Sequence, residues 1–313
     1  MMITNSLIIP VYRNEAEIPN LLKALSTLNT KIQGLEVVFV VDGSPDQSFE
    51  VLNRLLVKTN FKAQLVSLSK NFGAMSAIRA GLQEARGNQF AVMAADLQEP
   101  IDLIETFFLK LSKGDCDVIY GERNSRADPV FTKLASNIFW FLYRKFIFSE
   151  MPNGGVDVFG CNNKFKEQIL KLEESHSSLM AIIFWLGYRR ESVLYDRQKR
   201  SIGRSSWTFS KKVNYLRDSI FSFSNSPIIL LTWAGIAGII ISISLGLSIL
   251  YASISGDINV PGYAPTILAI IFFGGLNLFG IGIIGTYAWR TYENTKRRPL
   301  TLVMSKKQFG DER

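Results

Sequence analysis

The chain has 313 residues, of which 47% are hydrophobic and 20% charged, and its formal net charge is +8. This length allows one large domain and a further segment, and the positive charge favours a polyanionic partner: nucleic acid, an anionic membrane surface or phosphorylated substrates. The single histidine and the two cysteines, Cys116 and Cys161, exclude a zinc cluster, a disulfide framework and a nucleophile activated by histidine.

The first 125 residues alternate between short apolar runs and longer segments with helical spacing. The run at 35–41 is almost continuously branched and apolar, which is typical of a strand buried on both faces of a parallel sheet. We therefore expect an α/β fold with a doubly wound, mostly parallel sheet, whose ligands bind at the carboxyl ends of the strands. Strands are predicted at 6–10, 35–41, 63–68, 89–94 and 117–120, and helices at 17–28 and 74–85.

The region 126–226 is rich in aromatic and basic residues. The segment 131–148 has helical spacing but is too short and too polar to cross a bilayer, and 197–217 contains seven basic residues and no acidic one. These segments are either a core helix and a solvated basic loop, or an interfacial helix and a phosphate-binding loop that face a membrane. The apolar segments that follow favour the second interpretation.

Residues 228–289 contain no lysine or arginine, and Asp257 is their only charged residue. Two apolar stretches, 228–251 and 265–289, each exceed the roughly 20 residues that a membrane-spanning helix needs. Basic residues flank the pair on both outer sides, whereas the connecting turn has no positive charge, so both flanks are expected in the cytoplasm. The alternative is a buried helical hairpin of a soluble protein. The start of the chain lacks the pattern of a cleaved signal peptide.

Polar motifs follow four of the predicted strands. Because the carboxyl ends of parallel strands meet at one edge of a sheet, we expect these motifs to lie together. A carboxylate and a nearby amide oxygen, as in the last motif, suit Mg²⁺ or Mn²⁺, which also binds the phosphates of a substrate. The motifs are Pro-Val-Tyr-Arg-Asn-Glu at 10–15, Asp-Gly-Ser-Pro-Asp at 42–46, Lys-Asn-Phe-Gly at 70–73 and Ala-Ala-Asp-Leu-Gln-Glu-Pro at 94–100.

In this order the motifs resemble the family 2 glycosyltransferases of the GT-A fold. Within that family the chain is similar to the polyprenyl-phosphate branch, which includes bactoprenol glucosyltransferases and dolichol-phosphate mannose synthases. The resemblance also covers 121–123, 200–207, 222–227 and 292–300. It implies transfer of a sugar, with inversion, from a nucleotide-sugar to a polyprenyl phosphate such as undecaprenyl phosphate, in the synthesis of cell-envelope polysaccharide.

The resemblance also implies roles for single residues. Asp96 and Gln98 would bind the divalent metal, and Asp157 would lie beside the reacting anomeric carbon. Val41 and Ala94 stand where the family usually has aspartate, so the metal site keeps one carboxylate and one amide. The nucleotide would be held by Pro10, Tyr12, Glu15, Asp42 and Lys70.

Catalysis would need cations more than a base, because an acceptor phosphate with a second pKa near ~6 is already largely a dianion at neutral pH. Arg123 is the first candidate, since it follows a predicted strand and a glycine, and it would act with Asp96 and Asp157 as a catalytic residue. The candidates for binding the acceptor phosphate are Arg123, Arg126, Lys133, Arg200 and Arg204.

The expected architecture is a GT-A, Rossmann-like sheet followed by interfacial helices and a two-helix transmembrane hairpin. Its parts would be a cytoplasmic catalytic domain (1–196), a basic loop with juxtamembrane helices (197–227), two transmembrane helices (228–289) and a basic cytoplasmic tail (290–313). We expect a bacterial-type cytoplasmic membrane as the location. The expected partners are a nucleotide-sugar, a polyprenyl phosphate and the lipid bilayer, and the glycine-rich helices permit a homo-oligomer.

Two other functions stay open from the sequence. A processive polysaccharide synthase usually carries a Gln-x-x-Arg-Trp motif and more membrane helices, and the string Arg-Ser-Ser-Trp at 204–207 does not match that motif. A non-catalytic membrane scaffold that binds nucleotide-sugars would account for Val41 and Ala94. A nucleic-acid partner is not expected, because the basic residues flank the membrane segments.

Overall fold

The computed structural model describes residues 3–124, 139–141, 143–145, 147–152, 155–174, 178–198, 209–255 and 262–310. Within these ranges eight strands form one sheet in the order β7-β5-β6-β4-β1-β2-β3-β8. The strands are β1 (Asn5–Val11), β2 (Leu35–Val41), β3 (Lys62–Leu68), β4 (Gln89–Val92), β5 (Val118–Arg123), β6 (Phe159–Asn162), β7 (Arg190–Tyr195) and β8 (Val303–Phe309).

The strand directions bring most of the carboxyl ends of the strands to one edge of the sheet. β1 pairs in parallel with β2 and β4, β2 with β3, and β5 with β7. β6 lies antiparallel between β4 and β5, and β8 lies antiparallel beside β3. The carboxyl ends of β1–β5 and β7, together with the beginning of β6, therefore share this edge, which we call the carboxyl edge.

Helices cover both faces of the sheet. Alternate residues of β1 and β2 point to opposite faces, as the period of a strand requires. Leu7 and Phe39 join one core with α1, α2 and α4, whereas Ile8 and Val38 join a second core with α3, α5 and α6. This arrangement confirms the predicted doubly wound, mostly parallel α/β fold. The helices are α1 (Ile18–Lys31), α2 (Ser48–Leu55), α3 (Ala74–Glu84), α4 (Ile101–Lys113), α5 (Asn163–Lys171) and α6 (Leu179–Trp185).

Three further helices follow the sheet: α7 (Phe209–Phe223), α8 (Ser226–Ile254) and α9 (Tyr263–Thr295). α8 and α9 are long and apolar enough to cross a membrane, and none of the residues of Ser226–Ser248 in α8 whose burial is described is buried. Its Leu230 and Trp233, for example, are 59% and 65% exposed. A core helix of a soluble protein would bury such side chains, so the two helices suggest membrane association.

α7 packs on the globular part of the chain through tyrosines. Tyr143, which lies in the described part of the segment 131–148, is fully buried, and its ring stacks on Tyr215 of α7 with centroids 6.0 Å apart. The Tyr215 hydroxyl lies 2.9 Å from the hydroxyl of Ser178, the residue that caps α6. Residues 131–138 of the predicted interfacial helix lie outside the described residues.

The chain returns to the sheet after α9. β8 extends the edge of β3, and the Ser69 N–H donates to the carbonyl oxygen of Leu302 at 2.9 Å. The sequence did not predict this strand, because most of its side chains are exposed and it has no apolar pattern. Part of the basic tail 290–313 thus belongs to the same sheet as the N-terminal strands.

Candidate active site

Asp42 joins the loops that follow β2 and β3. Its side chain is buried, and its two carboxylate oxygens accept hydrogen bonds from the backbone N–H groups of Phe72 at 2.7 Å and Gly73 at 2.8 Å. Burial raises the pKa of Asp42, although the two N–H groups favour its charged form. Asp42 therefore holds the Lys70–Gly73 loop in place at the carboxyl edge.

Gly43 allows these two loops to touch. Its φ is +54°, and a Cβ atom there would lie 2.2 Å from the carbonyl carbon of Lys70. A side chain would therefore strain its own backbone and collide with the backbone of the neighbouring loop. The Lys70 ammonium lies 5.1 Å from the centre of the Phe72 ring at the surface of the same loop.

The loop after β1 is held by Asp46. One oxygen of Asp46 accepts from the Ser44 hydroxyl at 2.5 Å, and the other accepts from the Glu15 N–H at 3.1 Å. Partial burial acts against the charged form, but these bonds and those from Ser48 lower the pKa of Asp46 below its ordinary value. The Glu15 carboxylate in turn accepts from the Gln47 N–H at 3.1 Å.

Four of the five predicted nucleotide residues thus lie on adjacent loops of the carboxyl edge. The Tyr12 ring is 38% exposed, with the Arg13 guanidinium 5.4 Å from its centre. Pro10 lies inside β1, opposite Val40 of β2, rather than in the loop. Asp46 was not predicted as a site residue, although its motif was. Of the predicted nucleotide residues, Tyr12 and Lys70 are exposed, so a nucleotide could contact their side chains.

Asp96 and Gln98 lie on a tight turn after β4. Leu97 between them has a left-handed backbone (φ +54°), and the Gln98 N–H donates to an Asp96 carboxylate oxygen at 3.4 Å. The Gln98 side-chain oxygen accepts from the Arg197 guanidinium at 2.6 Å, so this oxygen already faces a cation. A buried carboxylate and an amide oxygen on one turn are hard ligands that fit Mg²⁺ or Mn²⁺. The described residues contain no cluster of three or more His, Cys, Asp or Glu side chains suited to a metal.

Arg123 and Asp157 form an ion pair at the carboxyl edge. Arg123 ends β5, and Asp157 comes just before β6, which is antiparallel to β5 and begins at this edge. The Arg123 side chain is 11% exposed and that of Asp157 is 35% exposed, so the pair lies partly in solvent. Arg123 and Asp157, for which separate catalytic roles were predicted, are therefore in contact. Arg126, Lys133, Arg200 and Arg204 lie outside the described residues.

Glu99 and Tyr195 are buried polar residues that were not predicted as site residues, although Glu99 belongs to the motif at 94–100. Within the described part of the chain, no hydrogen-bond partner is found for the Glu99 Oε2 atom. Burial raises the pKa of Glu99, and the charge of Asp96 acts in the same direction. Burial likewise raises the pKa of Tyr195. Glu99 directly follows the Asp-Leu-Gln string, and this position is the one sequence signal that could have drawn attention to it.

Comparison with known proteins decides the family. Residues 6–194 match the family described as Glycosyl transferase family 2, and this range contains all of the strand-end loops described above. The chain belongs to glycosyl transferase family 2. The predicted family and the prediction of an enzyme, a glycosyltransferase, are thereby confirmed.

Two relatives match this glycosyltransferase over nearly its whole length. It is 33% identical over 305 residues to an uncharacterized glycosyltransferase of Synechocystis sp., covering 97% of this chain and 95% of that protein. It is 31% identical over 304 residues to the bactoprenol glucosyl transferase of Shigella phage SfX, covering 96% and 99%. Mannosyl-3-phosphoglycerate synthase from Rubrobacter xylanophilus has a TM-score of 0.50 and 15% identity, covering 69% of this chain and 72% of that one, and it shares the fold.

Proposed function

We propose that this glycosyltransferase transfers a single sugar from a nucleotide-sugar to a polyprenyl phosphate at a membrane surface. The observation that carries the proposal is the 31% identity to a bactoprenol glucosyl transferase, which covers 96% of this chain and therefore includes the two apolar helices. The carboxyl edge supports it, because hydrogen bonds to Asp42 and Asp46 join three loops there, and a fourth loop presents a carboxylate and an amide.

The connection of α8 and α9 to the globular part supports the proposed orientation. The chain leaves the globular part through α7, passes through α8 and α9, and returns as β8 to the edge of β3. A pair of transmembrane helices that starts from and returns to one sheet must have both outer ends on the same side. The basic residues that flank the pair favour the cytoplasm for that side, so in this proposal the sheet and the tail are both cytoplasmic.

In the proposed reaction an oxygen of the acceptor phosphate attacks the anomeric carbon. A new carbon–oxygen bond forms as the bond to the nucleoside diphosphate breaks, and the leaving group takes the bonding electron pair. Mg²⁺ or Mn²⁺ held by Asp96 and Gln98 would stabilise the charge of that leaving group. Arg123 would bind the acceptor phosphate, and Asp157, already paired with it, would fix its orientation. Direct displacement inverts the configuration of the anomeric carbon.

The proposal is tested with the full-length protein in detergent. The assay combines undecaprenyl phosphate, Mg²⁺ or Mn²⁺, and each of a panel of radiolabelled nucleotide-sugars. We expect one nucleotide-sugar to give a labelled lipid that carries one sugar with inverted configuration. A polymeric product would instead support a processive synthase, although the two membrane-length helices of the described residues cannot line a channel by themselves. Binding of a nucleotide-sugar without transfer would support a scaffold.

A further inference from the structure

The segment that follows β7 is fastened to the proposed metal-binding turn. The Arg197 guanidinium donates to the Gln98 side-chain oxygen at 2.6 Å, and the Gln98 side-chain nitrogen donates to the carbonyl of Gln198 at 3.3 Å. The Gln198 N–H also donates to the Gln98 carbonyl at 2.9 Å. Both polar atoms of the Gln98 side chain are therefore engaged by this segment.

The Arg197 bond uses the same oxygen atom that a metal would need. A divalent cation bound to an oxygen ligand lies about 2.1 Å from it, so a guanidinium nitrogen on that oxygen would stand within a few ångströms of the ion. Like charges at such a distance repel, and the guanidinium has no acceptor atoms that could help to bind a metal. Arg197 and a divalent cation therefore cannot both occupy the Gln98 oxygen without a large cost.

The contact is not needed to hold the two loops together. The Gln98 and Gln198 backbones are joined by their own hydrogen bond, and Tyr195 is buried in the core at the end of β7. Arg197 itself is exposed to solvent. Its side chain can therefore leave Gln98 without unfolding the segment.

We propose that Arg197 is a positioning residue that holds the Gln98 carboxamide until a divalent cation displaces it, so that Arg197 and the cation compete for one oxygen atom. The inference rests on the proposed function, because it takes Asp96 and Gln98 as the metal ligands. Metal affinity in this protein is then set partly by an arginine that is not a ligand. On displacement, that guanidinium is released beside the turn, where it can approach the phosphates of a bound donor.

The test measures Mn²⁺ binding to the full-length protein in detergent, using the electron paramagnetic resonance signal of unbound Mn²⁺. We expect Arg197→Ala to lower the Kd for Mn²⁺ about fivefold relative to the unsubstituted protein. Arg197→Lys keeps the charge but loses the planar guanidinium. Its Kd for Mn²⁺ should lie between that of the unsubstituted protein and that of Arg197→Ala. Lys113→Ala is the matched charge control, because Lys113 is exposed at the far end of α4, about 20 Å along the helix from its start. Its Kd should not change.

The outcomes separate the inference from the proposed function. Asp96→Asn should weaken Mn²⁺ binding strongly, and unchanged binding would overturn the metal assignment itself. If Asp96→Asn weakens binding but Arg197→Ala leaves it unchanged or weaker, the metal site stands and the competition is overturned. The competition is also overturned if neither the unsubstituted protein nor Arg197→Ala binds Mn²⁺, or if Lys113→Ala strengthens binding as much as Arg197→Ala. Thermal unfolding of each variant shows that it is folded.

Discussion

At the scale of single residues, Asp42 holds a loop in place and is also one of the predicted nucleotide-binding residues. Its two oxygens hold two consecutive backbone N–H groups of the loop after β3, and that loop also carries Lys70. By holding the backbone of this loop, Asp42 fixes the position from which the Lys70 side chain extends. The nucleotide would then bind to a surface whose shape depends on a buried carboxylate.

We expect Asp42→Asn to weaken nucleotide-sugar binding and to lower the free energy of unfolding by ~1–2 kcal/mol. The asparagine has one acceptor oxygen, so one of the two N–H groups would face an NH₂ group and lose its bond. Binding is measured by equilibrium titration and stability by denaturant unfolding. Glu50→Gln, on the exposed face of α2, is the control and should change neither. Unaltered stability in Asp42→Asn would contradict the role of these bonds.

Asp96 is the residue on which the proposed metal site depends most. We expect Asp96→Asn to reduce sugar transfer at least ~100-fold, because an amide replaces the only carboxylate of the turn that is assigned to the metal. The rate is measured as labelled lipid formed per minute at saturating Mg²⁺. Asp102→Asn removes an exposed carboxylate of α4 that pairs with Lys31, and it should leave the rate unchanged. Transfer at the normal rate by Asp96→Asn would refute the metal assignment.

At the scale of secondary-structure elements, Asp117 joins β5, β6 and β7. Arg189 donates two hydrogen bonds of 3.0 Å to its carboxylate, and Asn162 donates a third of 3.0 Å. The Arg189 guanidinium and, to a lesser degree, Asn162 lower the pKa of Asp117 to about 2, although burial acts against this. The ordinary aspartate pKa of ~3.9 lies above this value, so the pair stabilises the fold at pH values above about 4.

This stabilisation should be lost as the pH falls from about 4 towards 2, because protonation of Asp117 removes its charge. We expect Arg189→Ala to be less stable than the unsubstituted protein at pH 6 and to show a smaller further loss between pH 4 and pH 2.5. Denaturant unfolding at several pH values measures both. Arg54→Ala, an exposed arginine in the last turn of α2, should leave the pH dependence unchanged. Parallel pH profiles for Arg189→Ala and the unsubstituted protein would contradict the assignment.

β8 is expected to stabilise the loop that Asp42 holds. Its first residues lie beside Leu68, and Leu302 accepts a hydrogen bond from Ser69, next to Lys70. Removal of residues 303–313 should therefore accelerate amide hydrogen exchange in β3 and in residues 69–73, which is read by mass spectrometry. Removal of 311–313 alone is the matched control, because it leaves the strand intact. Equal exchange in both truncated proteins would show that β8 does not support the loop.

The sequence predicted the elements whose burial is uniform. β2 was predicted with the observed bounds because all seven of its residues are buried and six of them are apolar, so that only Glu36 interrupts the apolar run. β8 was missed because an edge strand with exposed faces needs no apolar pattern. The motifs at the strand ends were predicted to lie close together, because the carboxyl ends of parallel strands share one edge of the sheet. The pairing of Arg123 with Asp157 depends on the insertion of β6 beside β5, which local spacing does not encode.

At the scale of the whole molecule, two connections join the sheet to the apolar helices. The first passes through α7, which packs on the globular part through Tyr143 and Tyr215, and the second passes from α9 to β8. A domain attached at two places has less orientational freedom than one attached by a single linker. We propose that these two connections keep the carboxyl edge in a constant orientation relative to the membrane surface.

This arrangement predicts the side of the membrane on which three positions lie. Cys116 and Cys161 are buried, so a single introduced cysteine can be labelled with an impermeant maleimide in sealed, right-side-out vesicles. We expect Gly262→Cys, exposed at the start of α9, to be labelled without lysis. Lys113→Cys and Gln308→Cys, both exposed on the globular part, should be labelled only after lysis. Labelling of all three positions in intact vesicles would contradict the transmembrane hairpin.

The position of β8 also sets the order in which the fold can be completed during synthesis. β3 is synthesised before α8 and α9, and β8 after them, so within the described residues the outer edge of β3 gains its neighbouring strand only after both helices have been made. A nascent chain that inserts only one of the two helices would carry β8 to the far side of the membrane. If the pair spans the membrane as proposed, β8 can join β3 only after both helices have been inserted.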